Sequence, residues 1–384
     1  MHMPARFLDL HILQSVPAAN LNRDGDNEPK TIQFGNKIRA FISSQSWKRE
    51  LRLGVERDLD EPAARTRQLP PEVAQALRQA GWPEDLAAFA ALQIARSATQ
   101  EGLKTNSREG HRTQATLFLP KDATGELLAL CEDNRTQLEE ALTEHTASEK
   151  KKTPPAVLPA KAVAAQLTRR TTSISLFGRM LAELPSGHVE AAVQMAPAFT
   201  VHESDPQPDY FTTVEDWPQP GDKGSAHLQT AFLTTGIFYR YATLNITDFT
   251  RNLRGNTDGL KELIELFTWH FIMSLPQGKK TSTAPHTVPD LVHYAVRDSR
   301  PISYSAAFEQ PVKAAPSGGY TAPARQALAD YATTINRLVG TRRRIAHGHT
   351  ASTPLTPQLG THHDSFEDLA EACATAALTS QDRQ

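Results

Sequence analysis

The chain opens on a short apolar run. Arg6–Gln14 carries Phe7, Leu8, Leu10, Ile12 and Leu13 with partial alternation, which predicts a strand buried on at least one face. Asn20–Glu28 reads as a polar loop, because Asn, Asp and Gly tolerate the left-handed backbone region. Lys37–Ile42 alternates loosely and predicts a second strand, and Ser43 or Ser44 is placed to cap a helix running through the fifties. From Asp58 to Glu183 the spacing is mostly helical and rich in Ala and Leu, with Pro71 and Pro83 at helix starts where a missing N–H costs nothing. Inside it, Glu126–Glu149 is acidic and helix-periodic, and Lys150–Pro159 is a basic, Pro-containing break. After Gly187, Val189–Thr200 and Ile237–Thr247 are rich in β-branched and aromatic residues and predict strands, separated by a Pro- and Asp-rich excursion, His202–Ser225. Asp258–Ser274 puts Leu260, Leu263, Ile264, Phe267 and Phe271 on one helical face, and Leu291–Val296 predicts another strand. His347–Asp364, with Pro, Thr, Gly and four histidines, predicts a mobile loop before a last helix.

This order predicts an α+β protein: an antiparallel sheet backed by helices and interrupted by a separate helical insertion. Composition shifts place provisional boundaries at 1–57, 58–183, 184–201, 202–225, 226–346 and 347–384. At 384 residues, 39% hydrophobic and 22% charged, the chain is too long for one small domain and apolar enough to bury a core. A net charge of -2 provides no global field for polyanions, so any nucleic-acid site must be local. No apolar run is long enough to span a membrane and no leader pattern opens the chain, which predicts a cytoplasmic protein without a membrane partner. Cys131 and Cys373 lack any disulfide or zinc spacing and read as reduced packing residues.

Candidate chemistry concentrates in Lys30–Arg52, where Lys30, Lys37, Arg39, Lys48, Arg49 and Arg52 accompany a single acid, Glu50. On a helix begun by Ser43 and Ser44, the residues Gln45, Lys48, Arg49 and Arg52 share one face, with Trp47 and Leu51 roughly opposite. Such a face is either a solvated surface or, with the helix N-terminus and two serine hydroxyls beside it, a phosphodiester cradle that Asn22, Arg23 and Lys30 can approach. Leu176–Met180 is a weaker signal, and Tyr210, Phe211, Thr212 and Trp217 lie on a stretch that resists burial; they either stack on bases or form a satellite cluster. Asp24 and Asp26 fit turn chemistry better than catalysis or calcium binding, and the histidines around His347 read as solvated. No phosphate-binding loop, nucleophile elbow or zinc-protease motif is present, and no cofactor or metal is expected.

Six dispersed segments, FLDLH at Phe7–His11, LNRD at Leu21–Asp24, SSQSWKR at Ser43–Arg49, GRM at Gly178–Met180, GSAHL at Gly224–Leu228 and GIFYRYA at Gly236–Ala242, together resemble the CasC family. Those proteins are the backbone subunits of the type I-E CRISPR surveillance complex, Cascade. The resemblance runs in register to Ser303–Val312. It implies an RRM-like (ferredoxin-like) palm, an inserted helical finger domain and a protruding thumb at His202–Ser225. It also implies a non-enzymatic subunit that stacks with further copies along a CRISPR RNA, beside other Cascade subunits, leaving bases open to target DNA. The matching backbone-grip positions are Lys30, Ser43, Ser44, Gln45, Lys48, Arg49 and Arg52, with Asn22 and Arg23 nearby. By the same likeness Met180, preceded by Arg179, and the Tyr210–Thr212 tip wedge where a nucleotide is flipped out. Lys150, Lys151, Lys152, Lys279 and Lys280 are further basic sites, either solvated loops or contacts to target DNA. Related type III subunits cut RNA with a loop aspartate, and Asp24 or Asp26 would serve in that alternative.

Overall fold

The computed structural model describes residues 6–147, 154–212, 217, 228–353 and 357–379. The chain divides into two compact units. One takes the chain up to Val55, Val193–Thr250 and the part from Gly255 onward; the other takes Glu56–Ala192 with Arg251–Arg254. In chain order the elements are β1 (Phe7–Ala19), β2 (Thr31–Phe34), β3 (Lys37–Ile42) and α1 (Ser44–Asp58). Then come β4 (Ala63–Thr66), α2 (Leu69–Gln79), α3 (Glu84–Ser97), β5 (Thr105–Asn106), β6 (Arg112–Thr113), β7 (Leu117–Pro120), α4 (Ala123–Asp133), α5 (Arg135–Ala147), α6 (Ala160–Leu167) and α7 (Thr172–Phe177). The chain continues through β8 (Val193–Met195), β9 (Ala198–Thr200), β10 (Gln207–Thr212), β11 (Leu228–Asn245), α8 (Ile246–Asn252), α9 (Leu260–Met273) and α10 (Lys280–Thr283). It ends with β12 (Leu291–Arg297), α11 (Thr321–Val339), β13 (Arg344–Ala351), β14 (Thr361–His362) and α12 (Phe366–Leu378).

The first unit is built on one mixed but mostly antiparallel sheet, ordered β14-β13-β12-β1-β11-β9-β3-β2, with β8 and β10 also paired to β11. The β13–β14 pair is parallel. β1 is flanked on both sides, Leu10 facing Ala242 of β11 and Tyr294 of β12, and it is buried on both faces, which is why it reads as a nearly continuous apolar run. On the face of Ile12 lies Arg240, its partner in β11. Arg240 donates to the carbonyls of Phe271, Ile272 and Ser274 at the C-terminal end of α9, and its guanidinium stacks 4.3 Å over Trp47 of α1. One buried cation thus satisfies orphan carbonyls of α9 and holds α1 on the same side of the sheet. α12 packs against α9.

The opposite face is closed as well. Leu13, Tyr239, Tyr241 and Leu291 pack with Tyr304, Phe308 and the Ala324, Leu328 and Ala332 side of α11. Several of its buried polar groups are paired: Asp9 accepts from Tyr241 and Ile302 and from Arg297 at 3.1 Å, Arg297 donates to Tyr304, and His11 Nδ1 meets the Tyr239 hydroxyl at 2.9 Å while its ring stacks on Tyr304. Burial raises the Asp9 carboxyl above its ordinary value and drives His11 well below its own.

The second unit gathers α2, α3, α4 and α6 around Val73, Leu77, Ala90, Ile94, Leu127 and Val163, with β4 and β7 paired at its side. Those strands sit within the mostly helical stretch expected over 58–183, and the acidic helix-periodic segment forms two helices, α4 and α5, separated at Asn134.

The loop expected over His347–Asp364 is also corrected. Arg344–Ala351 forms β13, paired antiparallel with β12 with one register shift at its Arg344 end, His349 is buried, and Thr361–His362 adds β14. Two of the histidines read as solvated, His347 and His349, are instead strand residues, while His362 is exposed; His347 is pushed down to about 4 and the neighbouring His293 of β12 to about 3, mainly by burial. β2, which the sequence pattern did not single out, is a four-residue, mostly exposed strand that Gly35 and Asn36, both at positive φ, turn tightly onto β3. Among the described residues no group of three or more His, Cys, Asp or Glu is arranged to hold a metal ion, and no helix is long and apolar enough to cross a membrane.

Candidate nucleic-acid interface

In the first unit several of the expected site residues come together at the start of α1. Asn22 reaches across from the loop, its Oδ1 accepting from Ser43 N at 2.8 Å, while its own carbonyl accepts from Lys30 N at 2.9 Å. Ser43 receives Ser46 N on both its carbonyl and its hydroxyl, so it caps the helix and its side chain is turned to that task. Trp47 and Leu51 are buried, which rolls Gln45 and Arg49 outward and leaves Ser44, Lys30 and Lys48 half-buried. Arg49 is exposed and pairs with Glu50 at 2.7 Å. The exposed part of the face is therefore Gln45 and Arg49, with Lys48 at its margin.

Two members of the expected cation set are corrected. Arg52 is buried at the foot of the face rather than presented on it. Arg39, part of the same basic stretch, is wholly buried and donates to the carbonyls of Thr200, Phe308 and Glu309, so it bolts the hairpin to the sheet.

A second cluster of expected residues converges beside the 20–30 loop. Arg23, Asp26, Phe211, Gln229 and Lys279 line one open groove between that loop, the β10–β11 hairpin and the turn before α10. Asn20 fixes it by donating to the carbonyls of Asn27 and Phe232, both at 3.1 Å, a positioning role that the sequence pattern did not single out. Gly278 permits the approach, since a Cβ there would lie 2.4 Å from the Leu21 carbonyl. Tyr210 and Phe211 are exposed on β10, opposite Thr230 and Gln229, and Thr212 is exposed at its end. Lys280 is exposed next to Lys279. Asp24 is occupied within the loop, its Oδ1 accepting from Asp26 N and Glu28 N. Lys150, Lys151, Lys152 and most of the remaining 202–225 excursion lie outside the described residues.

In the second unit Met180 is 81% exposed and lines a groove with Arg65, Phe118, Phe177 and His188. Arg179 is a correction. It is 3% exposed, and its guanidinium donates to four carbonyls, those of Gly187, Phe118, Arg169 and Thr168, at 2.7–3.0 Å. Four of its five N–H groups are taken by main-chain carbonyls, and a guanidinium this buried is not presented to a phosphate. Burial, with Arg170 and Arg254 nearby, lowers its pKa from 12.5 to about 10.

These features define a class: an α+β protein whose central sheet is covered on both faces, with candidate cations and aromatics exposed at a helix start, a loop and a hairpin. The chain belongs to the CT1975-like protein family, whose model matches residues 8–372. It is also similar to a chain of a solved structure described as a CRISPR RNA-guided surveillance complex, pre-nicking, with 39% identity, a TM-score of 0.88, and coverage of 97% of this chain and 100% of that one. A chain from another CRISPR RNA-guided surveillance complex is 34% identical, covering 96% of this chain and 99% of that one with a TM-score of 0.79. No curated protein matches.

Proposed function

We propose that this chain is a non-catalytic, CRISPR RNA-binding backbone subunit of a type I-E Cascade complex. It stacks in several cytoplasmic copies along the guide, beside other subunits, and leaves bases open to pair with target DNA. The observation that carries this reading is the end-to-end similarity to chains of CRISPR RNA-guided surveillance complexes at 39% and 34% identity. The strand order β12-β1-β11-β9, with α1 and α9 tied to one face through Arg240, supports an RRM-like palm. The 58–183 insertion then corresponds to fingers and the β10–β11 hairpin to the base of a thumb.

An RRM sheet ordinarily stacks bases on its open face. Here the corresponding Tyr239, Tyr241 and Tyr304 are buried under α11, which favours RNA at the periphery: Ser44, Gln45, Lys48 and Arg49 at the start of α1, and the Arg23–Phe211–Lys279 groove. Such a site grips phosphates without reading sequence. The turn-capping role of Asp24 favours this reading over a type III-like subunit that cleaves RNA through a loop aspartate.

The test is co-expression with the neighbouring subunits and a CRISPR array, followed by sequencing of co-purified RNA. Wild type should carry a uniform repeat-spacer RNA, and Lys48→Glu with Arg49→Glu should lose it. RNA retained by that double variant would sink the grip, and cleavage of complementary RNA that Asp24→Ala removes would replace the reading with the nuclease.

A further inference from the structure

The C-terminal end of α11 carries a surface that neither the core nor the proposed RNA grip uses. Leu338 and Val339 are 71% and 49% exposed, at the last two positions of the helix. Arg337 precedes them, and Arg342 and Arg343 follow in the turn that leads into β13. Arg343 reaches Asp298 at 3.7 Å and Arg344 donates to Asn336, which fixes the turn on the ends of β12 and α11. Arg337 and Arg342 are exposed, and among the described residues neither side chain has a partner.

A solvated helix end accounts for part of this. Arg337 complements the helix dipole, and Gly340 N already caps the Asn336 carbonyl. That account does not explain two adjacent exposed aliphatic side chains flanked by unpaired arginines. A phosphate backbone would use the arginines but gain nothing from Leu338 and Val339. Arginine beside desolvatable apolar surface is the composition of a protein–protein contact.

The same chain offers a complementary surface. At the α4–α5 corner of the second unit, Asp133 and Glu140 are exposed and unpartnered among the described residues, with half-buried Leu130 and Leu142 on the same two helices. We infer that the Arg337–Arg342 end of α11 in one copy docks on the Asp133–Glu140 corner of the next copy. The inference rests on the backbone reading above. A contact between two unlike faces can run head-to-tail and so repeat from copy to copy along an array. Pairing Arg337 and Arg342 with Asp133 and Glu140 makes it electrostatic at the rim, with Leu338 and Val339 at its centre.

The test uses the whole complex, co-expressed with its neighbouring subunits and a CRISPR array, with copies per RNA counted by native mass spectrometry across a salt series. Wild type that carries no RNA would overturn the backbone reading itself, a failure separate from this one. With wild type assembled, R337E/R342E should reduce the fully occupied complex by about tenfold at moderate salt. D133K/E140K should do the same, and the four changes together should restore occupancy, while thermal melts of the purified single-face variants match wild type. Full occupancy of R337E/R342E across the salt series would overturn the inference. So would a loss that the opposite-face changes do not restore, or loss of a different subunit with the copy number intact.

Discussion

Arg179→Met separates the structural arginine from the exposed methionine beside it, Met180. The guanidinium makes four buried hydrogen bonds to main-chain carbonyls. Bonds to a charged group contribute about 1.5–3 kcal/mol each, so the gross loss is about 6–12 kcal/mol. Against this stands the cost of keeping the charge buried. A pKa lowered from 12.5 to about 10 corresponds to roughly 3 kcal/mol. Methionine also regains about 1–2 kcal/mol of apolar burial. The difference is a destabilisation of about 1–8 kcal/mol, whose middle coincides with the roughly 3–5 kcal/mol typical of removing one partner from a buried charged network. The loss falls on the second unit, where Arg179 ties the segment after α7 to β7 and to the residues following α6. Urea unfolding followed by circular dichroism reads it directly. A midpoint equal to wild type, coupled to loss of bound RNA, would refute this reasoning and return Arg179 to the phosphate-contacting set.

Met180→Ala, one residue on, removes an exposed side chain and should change stability by less than about 0.5 kcal/mol while altering the nuclease-protection pattern of bound RNA; an unchanged footprint would count against a wedge there. Gly35→Ala adds a Cβ that would lie 1.7 Å from the Glu309 carbonyl at a φ of +58°, so it should lower the melting temperature by several degrees, and a melt at the wild-type temperature would contradict the turn geometry. His293 and His347 have folded pKa values near 3 and 4 against 6.5 unfolded, so the unfolded chain binds more protons as pH falls. Their contribution is complete above about pH 7 and declines below the unfolded value, by about 2 kcal/mol per histidine at pH 5, and the raised carboxyl of Asp9 opposes this decline. A urea midpoint that does not fall between pH 7 and pH 5 would contradict the burial of that row.

Much of this molecule was legible in its sequence. Local spacing determined β1, β3, the start and inward face of α1, the long helix α9 and the strand β12, because apolar period and capping chemistry act within a few residues. The polar loop with Asn22, Arg23 and Asp24 was legible for the same reason. Tertiary structure decided what charge and histidine composition could not. Arg39, Arg179 and Arg240 read as surface or strand cations, yet each is buried against main-chain carbonyls contributed by distant segments. The histidines from His347 onward read as solvated loop residues, but a strand partner more than fifty residues upstream drew His347 and His349 into the sheet, where burial keeps them neutral. The groove joining Arg23, Phe211 and Lys279 draws on three segments that meet only because Asn20 and Gly278 let their backbones close on one another. A sequence fixes which residues can carry charge; whether a given charge faces water or a carbonyl depends on which distant backbone groups need a donor, and that is settled only when the chain packs.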